Sequence, residues 1–321
     1  LANPYNDIQT AINNATAGTT IHLLAGTYII TQELYFPSSG SANNKIVLSN
    51  YEGGTVIVNG DSLDTNGIAI VKIASRSFIS IRNIHFTENN NTNARGVFIL
   101  GNSNHVEILN CEVSNISYDD DVDEDDIPLP ADNAHGILVL GSENTPISNI
   151  TIGNNRVHDC YTGYSEGLSI VGNVDIFEVN DNKVSNISNI GIVVAGHYTW
   201  VVENYPINNP ALNQARNGTI KGNTVNNCQS PVGAQNSAGI YVDGGSDITI
   251  EKNKSFANGS GFSIGSETPA TTANNILLRN NIAYLNEKGG LILGSNQATS
   301  NVVNCDVFNN TFYHNYENQD G

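Results

Sequence analysis

The stretch ITIGNNRV, residues 150–157, decides how this chain folds. Ile150 and Ile152 alternate with Thr151 and Gly153, Asn154-Asn155 interrupts, and Val157 resumes the apolar series. A period of two marks a strand with one buried face. The figure returns as FEVNDNKV (177–184), GTIKGNTV (218–225), ITIEKNKS (248–255) and ILLRNNIA (276–283). Asn155, Asn182, Asn223, Asn253 and Asn281 align, at steps of 27, 41, 30 and 28 residues. VEILNCEV (106–113) fits as well, with Cys111 at the Asn position. Repetition on this scale is the signature of a solenoid.

A second strand interleaves with the first, each copy opening at a glycine: Gly136, Gly167, Gly191, Gly239, Gly261 and Gly290. The positions one and three residues after that glycine are apolar in every copy, as in Ile137/Val139, Leu168/Ile170 and Ile240/Val242, so they face inward. Two or three short strands per coil cannot bury an apolar face alone, whereas stacked coils share one continuous core. Aligned Asn side chains at a tight bend can then bond up the stack, as in cross-β ladders. The expected fold is all-β: a right-handed, single-stranded parallel β-helix, the hand following the general preference of crossover connections. One domain is expected over residues 1–321. Ile8, Ala11 and Ile12 are spaced for a short amphipathic helix, so residues 1–16 are read as a cap over the first coil's open edge. NNTFYHNYENQDG at the C-terminus stops partway through a coil pattern, so further coils or a cap are expected beyond it.

With 31 acidic and 13 basic residues the formal charge is -18, which argues against nucleic-acid or anionic-membrane partners. No run of about 18 apolar residues is present, so no membrane-inserted helix is expected. The chain opens at Leu1 and lacks Met, which fits a mature or trimmed product. Cys111, Cys160, Cys228 and Cys305 are scattered without a C-x-x-C pair, which disfavours zinc. The reading favours buried ladder thiols over a disulfide.

Residues 17–60, AGTTIHLLAGTYIITQELYFPSSGSANNKIVLSNYEGGTVIVNG, resemble the opening coils of secreted β-helix polysaccharide-active enzymes. That pectate-lyase-like group includes pectate lyases, chondroitinase- and alginate-lyase-like proteins and β-helix glycoside hydrolases. GIYVDGG (239–245) and NNIAYLNEKGGLILG (280–294) resemble the same group. The resemblance implies a monomeric protein, secreted or at the cell surface, acting on a polysaccharide or oligosaccharide. It does not fix the chemistry. Neither the calcium-dependent pectate-lyase pattern of clustered Asp with a Lys base nor an alginate-lyase-like Lys and Arg pair is found.

The outward positions of the second strand are local in character. His135 and Glu166 stand just before the glycine, Ser169 and Tyr241 two after it, and Asp243 four after it. His197 and Glu267 follow directly past their strands. Glu166, His197, Asp243 and Glu267 thus fall on four successive coils, while Leu138, Val193, Ala195 and Ile292 are ordinary outward neighbours. The step from Gly191 to Gly239 is 48 residues and holds the insertion HYTWVVENYPINNPALNQARNG (197–218), with Tyr198, Trp200, Tyr205 and Arg216. Tyr161 and Tyr164 lie beside Glu166. Aromatic rings stack on sugar faces, and long loops over a rigid scaffold carry function. Each residue also has a structural reading: Asp243 as a turn carboxylate before Gly-Gly, His135 and His197 as ordinary structural histidines, Trp200 as a loop anchor. The run DDDVDEDD (119–126) reads first as a solvated loop. Asp119, Asp121 and Asp123 are its calcium candidates, though the spacing matches no EF-hand.

Two chemistries compete. A glycoside hydrolase needs paired carboxyl groups and no cofactor. Asp243 and Glu267 lie one coil apart, about 5–7 Å, near the retaining separation, and Glu166 and Asp243 two coils apart, about 9–10 Å, near the inverting one. Carboxyls that close raise one another's pKa. A uronate lyase instead needs His197 or Tyr241 as base, with Arg216 or calcium to neutralise the substrate carboxylate. The acidic face tips the reading towards hydrolysis. A non-catalytic glycan-binding or adhesin-like solenoid fits the convergent carboxylates less well.

Overall fold

The computed structural model describes residues 4–119, 128–129, 131–230, 237–295 and 297–316. They form a right-handed parallel β-helix of three sheets, two of ten strands and one of nine. Each coil supplies one strand to each sheet, three per coil. The first sheet carries Ile147–Gly153 and its relatives, the second Arg156–Cys160 and its relatives, the third Glu166–Gly172 and its relatives.

The bend between the first and second sheets explains the repeated Asn. Asn154, Asp181, Lys252 and Asn280 turn the chain with φ of 54°, 55°, 58° and 57°, a left-handed conformation that short polar side chains tolerate best. The next residue is the aligned Asn. Asn155 Nδ2 donates to Asn182 Oδ1 (3.0 Å), Asn182 to Asn223 (3.0 Å), Asn223 to Asn253 (2.9 Å), Asn253 to Asn281 (3.0 Å) and Asn281 to Asn310 (3.0 Å). Each Oδ1 also accepts the backbone N–H of the coil before it. At the lower end Cys111 N–H donates to Asn155 Oδ1 (2.8 Å), and the thiol takes the ladder position. A second ladder, absent from the sequence reading, joins Cys228 N–H, Asn258, Asn286 and Asn315.

The interior is filled by the inward pairs, with Ile137, Val139, Leu168, Ile170, Ile240, Val242, Phe262 and Ile264 all fully buried. Helix α1 (Ile8–Asn13) buries Ile8, Ala11 and Ile12 on the first coils, and its N-terminus is capped by Asp7 accepting from Thr10 N–H. All four cysteines are free, three of them buried.

One feature departs from expectation. The outward third-sheet positions Leu138, Val193 and Ala195 are not solvated. The insertion folds back over them and builds a second apolar core containing Phe98, Leu138, Leu140, Val193, Val201 and Ile207. It contains helix α2 (Thr199–Asn204) and a short 3-10 turn (Pro210–Leu212), neither of which period-two reasoning anticipated.

Candidate functional site

The outer face of the third sheet brings Glu166, Asp243 and Glu267 together. Glu166 opens the strand Glu166–Gly172 and is almost buried. Its side chain runs along the strand, and Ser169 Oγ donates to its Oε2 at 2.7 Å. Burial, reinforced by the charges of Asp243 and Glu267, pushes its carboxyl up to about 8. Asp243 closes the strand Ala238–Asp243 and is fully buried. Its Oδ1 accepts the backbone N–H of Glu267 at 2.7 Å, while Oδ2 has no partner in bonding geometry. The Tyr198 hydroxyl still steadies the charge, but burial and Glu267 outweigh it, and the carboxyl rises to about 7. Glu267 is exposed at the rim. Partial desolvation of its carboxyl raises it, against the Tyr241 hydroxyl, which donates to Oε1 at 3.3 Å.

Displacement along the strands adds to the stacking distance between Glu166 and Asp243. Glu166 begins its strand and Asp243 ends its own, so the gap exceeds the two-coil spacing, and only the lengthwise run of the Glu166 side chain shortens it. The glycines after Asp243 have physical causes. Gly244 has φ of 73°, and a Cβ there would lie 2.9 Å from both His197 Cδ2 and Ser266 Oγ. Gly265, in register with Asp243 on the next coil, would place a Cβ 3.3 Å from Tyr241 Oη and 2.4 Å from Gly294 O. A side chain at Gly244 would press on His197 and Ser266, and one at Gly265 on the Tyr241 hydroxyl that bonds Glu267.

His135 joins the cluster from the other side. Its Nδ1 lies 3.0 Å from Ser169 Oγ and 3.6 Å from Glu166 Oε2. Burial, with the Arg95 charge nearby, drives it down to about 3, so it is neutral at ordinary pH. Arg95, in register with His135 one coil earlier, was missed. RGVFILGN (95–102) obeys the second-strand rule with Gly96 as its glycine, so the signal was present. Its guanidinium lies 4.4 Å over the Phe98 ring, Nη1 donates to Gly67 O, and Nε is buried without a partner among the described residues.

The insertion supplies the roof. Tyr198 packs over the buried carboxyls; burial, then the charges of Asp243, Glu166 and Glu267, raises its hydroxyl, and burial with the charges of Asp243 and Glu267 raises that of Tyr241. Trp200 is 39% exposed, with ring centroids 6.2 Å from both Tyr198 and Tyr205. Tyr164, also 39% exposed, lies in the turn leading to Glu166.

Three expected residues lie elsewhere. His197, with φ of 67°, turns the corner out of the third sheet, and its Nε2 meets Gln214 at 3.1 Å. Burial lowers its pKa, and no contact joins it to the three carboxyls. Arg216 begins a strand of the first sheet, where Nη1 donates to Asn173 Oδ1 (3.0 Å) and Nη2 pairs with Asp175 (3.4 Å). Asp119 is exposed, its N–H donating to Ser117 Oγ (3.3 Å), while Asp121 and Asp123 lie outside the described residues. Among the described residues no group of three or more His, Cys, Asp or Glu is placed to hold a metal ion.

Two family models match the chain: a Pel9A-like right-handed β-helix region over residues 1–117 and a right-handed β-helix region over 166–319. The uncharacterized protein YwoF of Bacillus subtilis (strain 168) is 30% identical over 297 residues, 91% of this chain and 60% of that protein. The chain therefore spans less than two thirds of that relative. Among solved structures, the lacto-N-biosidase of family GH136 from Eubacterium ramulus superposes with a TM-score of 0.60 at 11% identity, covering 94% of this chain and 64% of the other. Pectate lyase Pel9A superposes at 0.53 and 13% identity, covering 94% and 73%. At these identities the likeness is one of fold.

Proposed function

We propose that this chain, which two right-handed β-helix family models match over residues 1–117 and 166–319, hydrolyses a glycosidic bond on the outer face of its third sheet, outside the cell. The observation that carries this reading is a trio of carboxyl groups, two of them buried, with no cation among the described residues in contact to hold them all ionised. Such a cluster keeps at least one proton at neutral pH, which is what protonation of a leaving-group oxygen requires.

Glu166 is the proton donor. Glu267, at the rim, hydrogen-bonded by Tyr241 and reached by water, is the ionised partner. As the glycosidic C–O bond breaks, the leaving oxygen takes the Glu166 proton, and a water that Glu267 deprotonates adds to the anomeric carbon. Their strands lie three coils apart, and the Glu166 side chain, running along its strand to Ser169, and the Tyr241 bond to Glu267 carry the two carboxyls towards each other; a remaining gap wide enough for that water is the inverting arrangement. Asp243 is a positioning residue: it holds the backbone of Glu267, and its charge helps keep Glu166 protonated. Tyr198, Trp200 and Tyr164 offer ring faces to the sugar. No cofactor is needed for these steps.

Arg95 favours a second reading, β-elimination on a uronate, since it supplies on this face the cation that Arg216 does not. Against it, the candidate bases Tyr198 and Tyr241 are both pushed up, away from the ionised form a base needs. Incubation with a polysaccharide panel separates the two: new reducing ends without ultraviolet absorbance support hydrolysis, and unsaturated uronate absorbance overturns it. An inverted anomer in the first product tests the spacing.

A further inference from the structure

We propose that the insertion makes this site act on chain ends and not within the chain, an inference that rests on the hydrolytic reading of the same site. A polysaccharide cut in mid-chain needs free sheet face on both sides of the cleavage point. On the two coils before Glu166, and on the coil between Glu166 and Asp243, that face is covered. The outward residues Phe98, Leu138, Leu140 and Val193 are 4%, 1%, 0% and 0% exposed, because Val201, Ile207 and Tyr205 sit on them.

This cover is anchored. Ile207 N–H donates to Ser142 O at 3.0 Å, and Asn208 N–H to Asn144 Oδ1 at 3.1 Å, two tethers to an earlier coil. At the insertion's base Gln214 Nε2 donates to Gly244 O at 2.7 Å, and Asn213 Nδ2 to Tyr198 O at 2.8 Å. Displacing it would expose an apolar face of the sheet to water. Towards the C-terminal coils the face opens: Glu267 is exposed and Ile292 is partly so. Substrate can therefore lie on one side only. The sugar at the closed side is the last of its chain, held between Trp200, Tyr198 and the carboxyls, and specificity for the released unit resides in the insertion.

The test uses the whole protein with polygalacturonate, alginate, xylan, arabinan and mannan. On the polymer that yields products, chain-end action gives one short product size from the first turnovers, while viscosity hardly falls. Early ladders of mixed length with rapid viscosity loss would overturn the chain-end proposal and leave hydrolysis standing. A single short product bearing an unsaturated uronate would overturn hydrolysis and leave the closed groove standing. If nothing is cut, binding decides: capacity per mass of polymer rises with the number of ends after partial acid hydrolysis if ends are recognised, and stays constant if they are not. Neither cleavage nor binding of any polymer would overturn both. Replacing residues 199–212 by a short Gly-Ser bridge is expected to convert the product pattern to internal cleavage. Should that variant fail to fold, Val201→Asp, which loosens only the cover, is expected to shift it the same way. Unchanged products from a folded variant of either kind would refute the role of the insertion.

Discussion

Glu166 sits where water solvates its charge poorly and where two further carboxyls oppose it, so its proton stays on to about pH 8. If that proton is the one transferred, activity falls as pH rises through about 8, and Glu166→Gln lowers kcat by about 10²–10⁴-fold, the usual contribution of a general acid. A pH–rate profile of both proteins checks this, and an alkaline limb that persists in a variant with residual activity would move the acid elsewhere. The same burial acts on stability. The native state holds protons on Glu166 and Asp243 that an unfolded chain has lost above about pH 4. Their contribution is therefore complete below about pH 4 and is lost as pH rises through about 7 for Asp243 and about 8 for Glu166. Tm is expected to decline across that window, and Asp243→Asn and Glu166→Gln to flatten the decline. A wild-type Tm that rises there would show that the carboxyls are ionised at no cost. Asp243 was legible from sequence as an outward residue ahead of two glycines. Its complete burial was not, because the residue that roofs it, Tyr198, comes from a different coil.

At the scale of elements, the Asn ladder was the most legible feature, since a single side chain at a fixed offset serves both the bend and the stack. Asn223→Ala removes a partner from Asn182 N–H and leaves it buried, and also empties a donor position beneath Val179 O. An orphaned buried group costs about 1–3 kcal/mol, so the variant is expected to lose roughly 3 kcal/mol in denaturant unfolding, and Asn310→Ala, near the end of the ladder and partly exposed, clearly less. Equal losses would refute the ladder as a cooperative element. The insertion was legible only as an interruption. Its helix α2 buries one residue, Val201, and owes its position to the sheet beneath it rather than to its own pattern. The corner residues were misplaced for a related reason. His197 lies just past its third-sheet strand, where the chain has already turned, and Arg216 begins a strand of the first sheet, so neither follows the third-sheet alternation. Trp200 provides a direct readout at this scale, being the only tryptophan. Productive glycan binding is expected to change its fluorescence, and Trp200→Ala to raise KM about 10-fold with kcat retained, as for the loss of one aromatic contact.

The whole molecule carries a formal charge of -18, and the carboxyl trio adds to that field where substrate binds. A polyanionic glycan would be repelled from such a surface, and screening would relieve the repulsion. A neutral glycan would not respond. The Debye length shrinks from about 30 Å at 0.01 M salt to about 8 Å at 0.15 M, so kcat/KM across that range reports the charge of the natural substrate. The hydrolytic reading with a protonated Glu166 needs no substrate carboxylate at the cleaved bond, and Arg95 already spends its charge over Phe98 and on Gly67 O. The expected outcome is therefore a salt-independent kcat/KM. A marked rise with salt, reproduced by Arg95→Gln as a selective loss on acidic polymers, would instead identify the substrate as a uronate-containing chain and restore the eliminative reading.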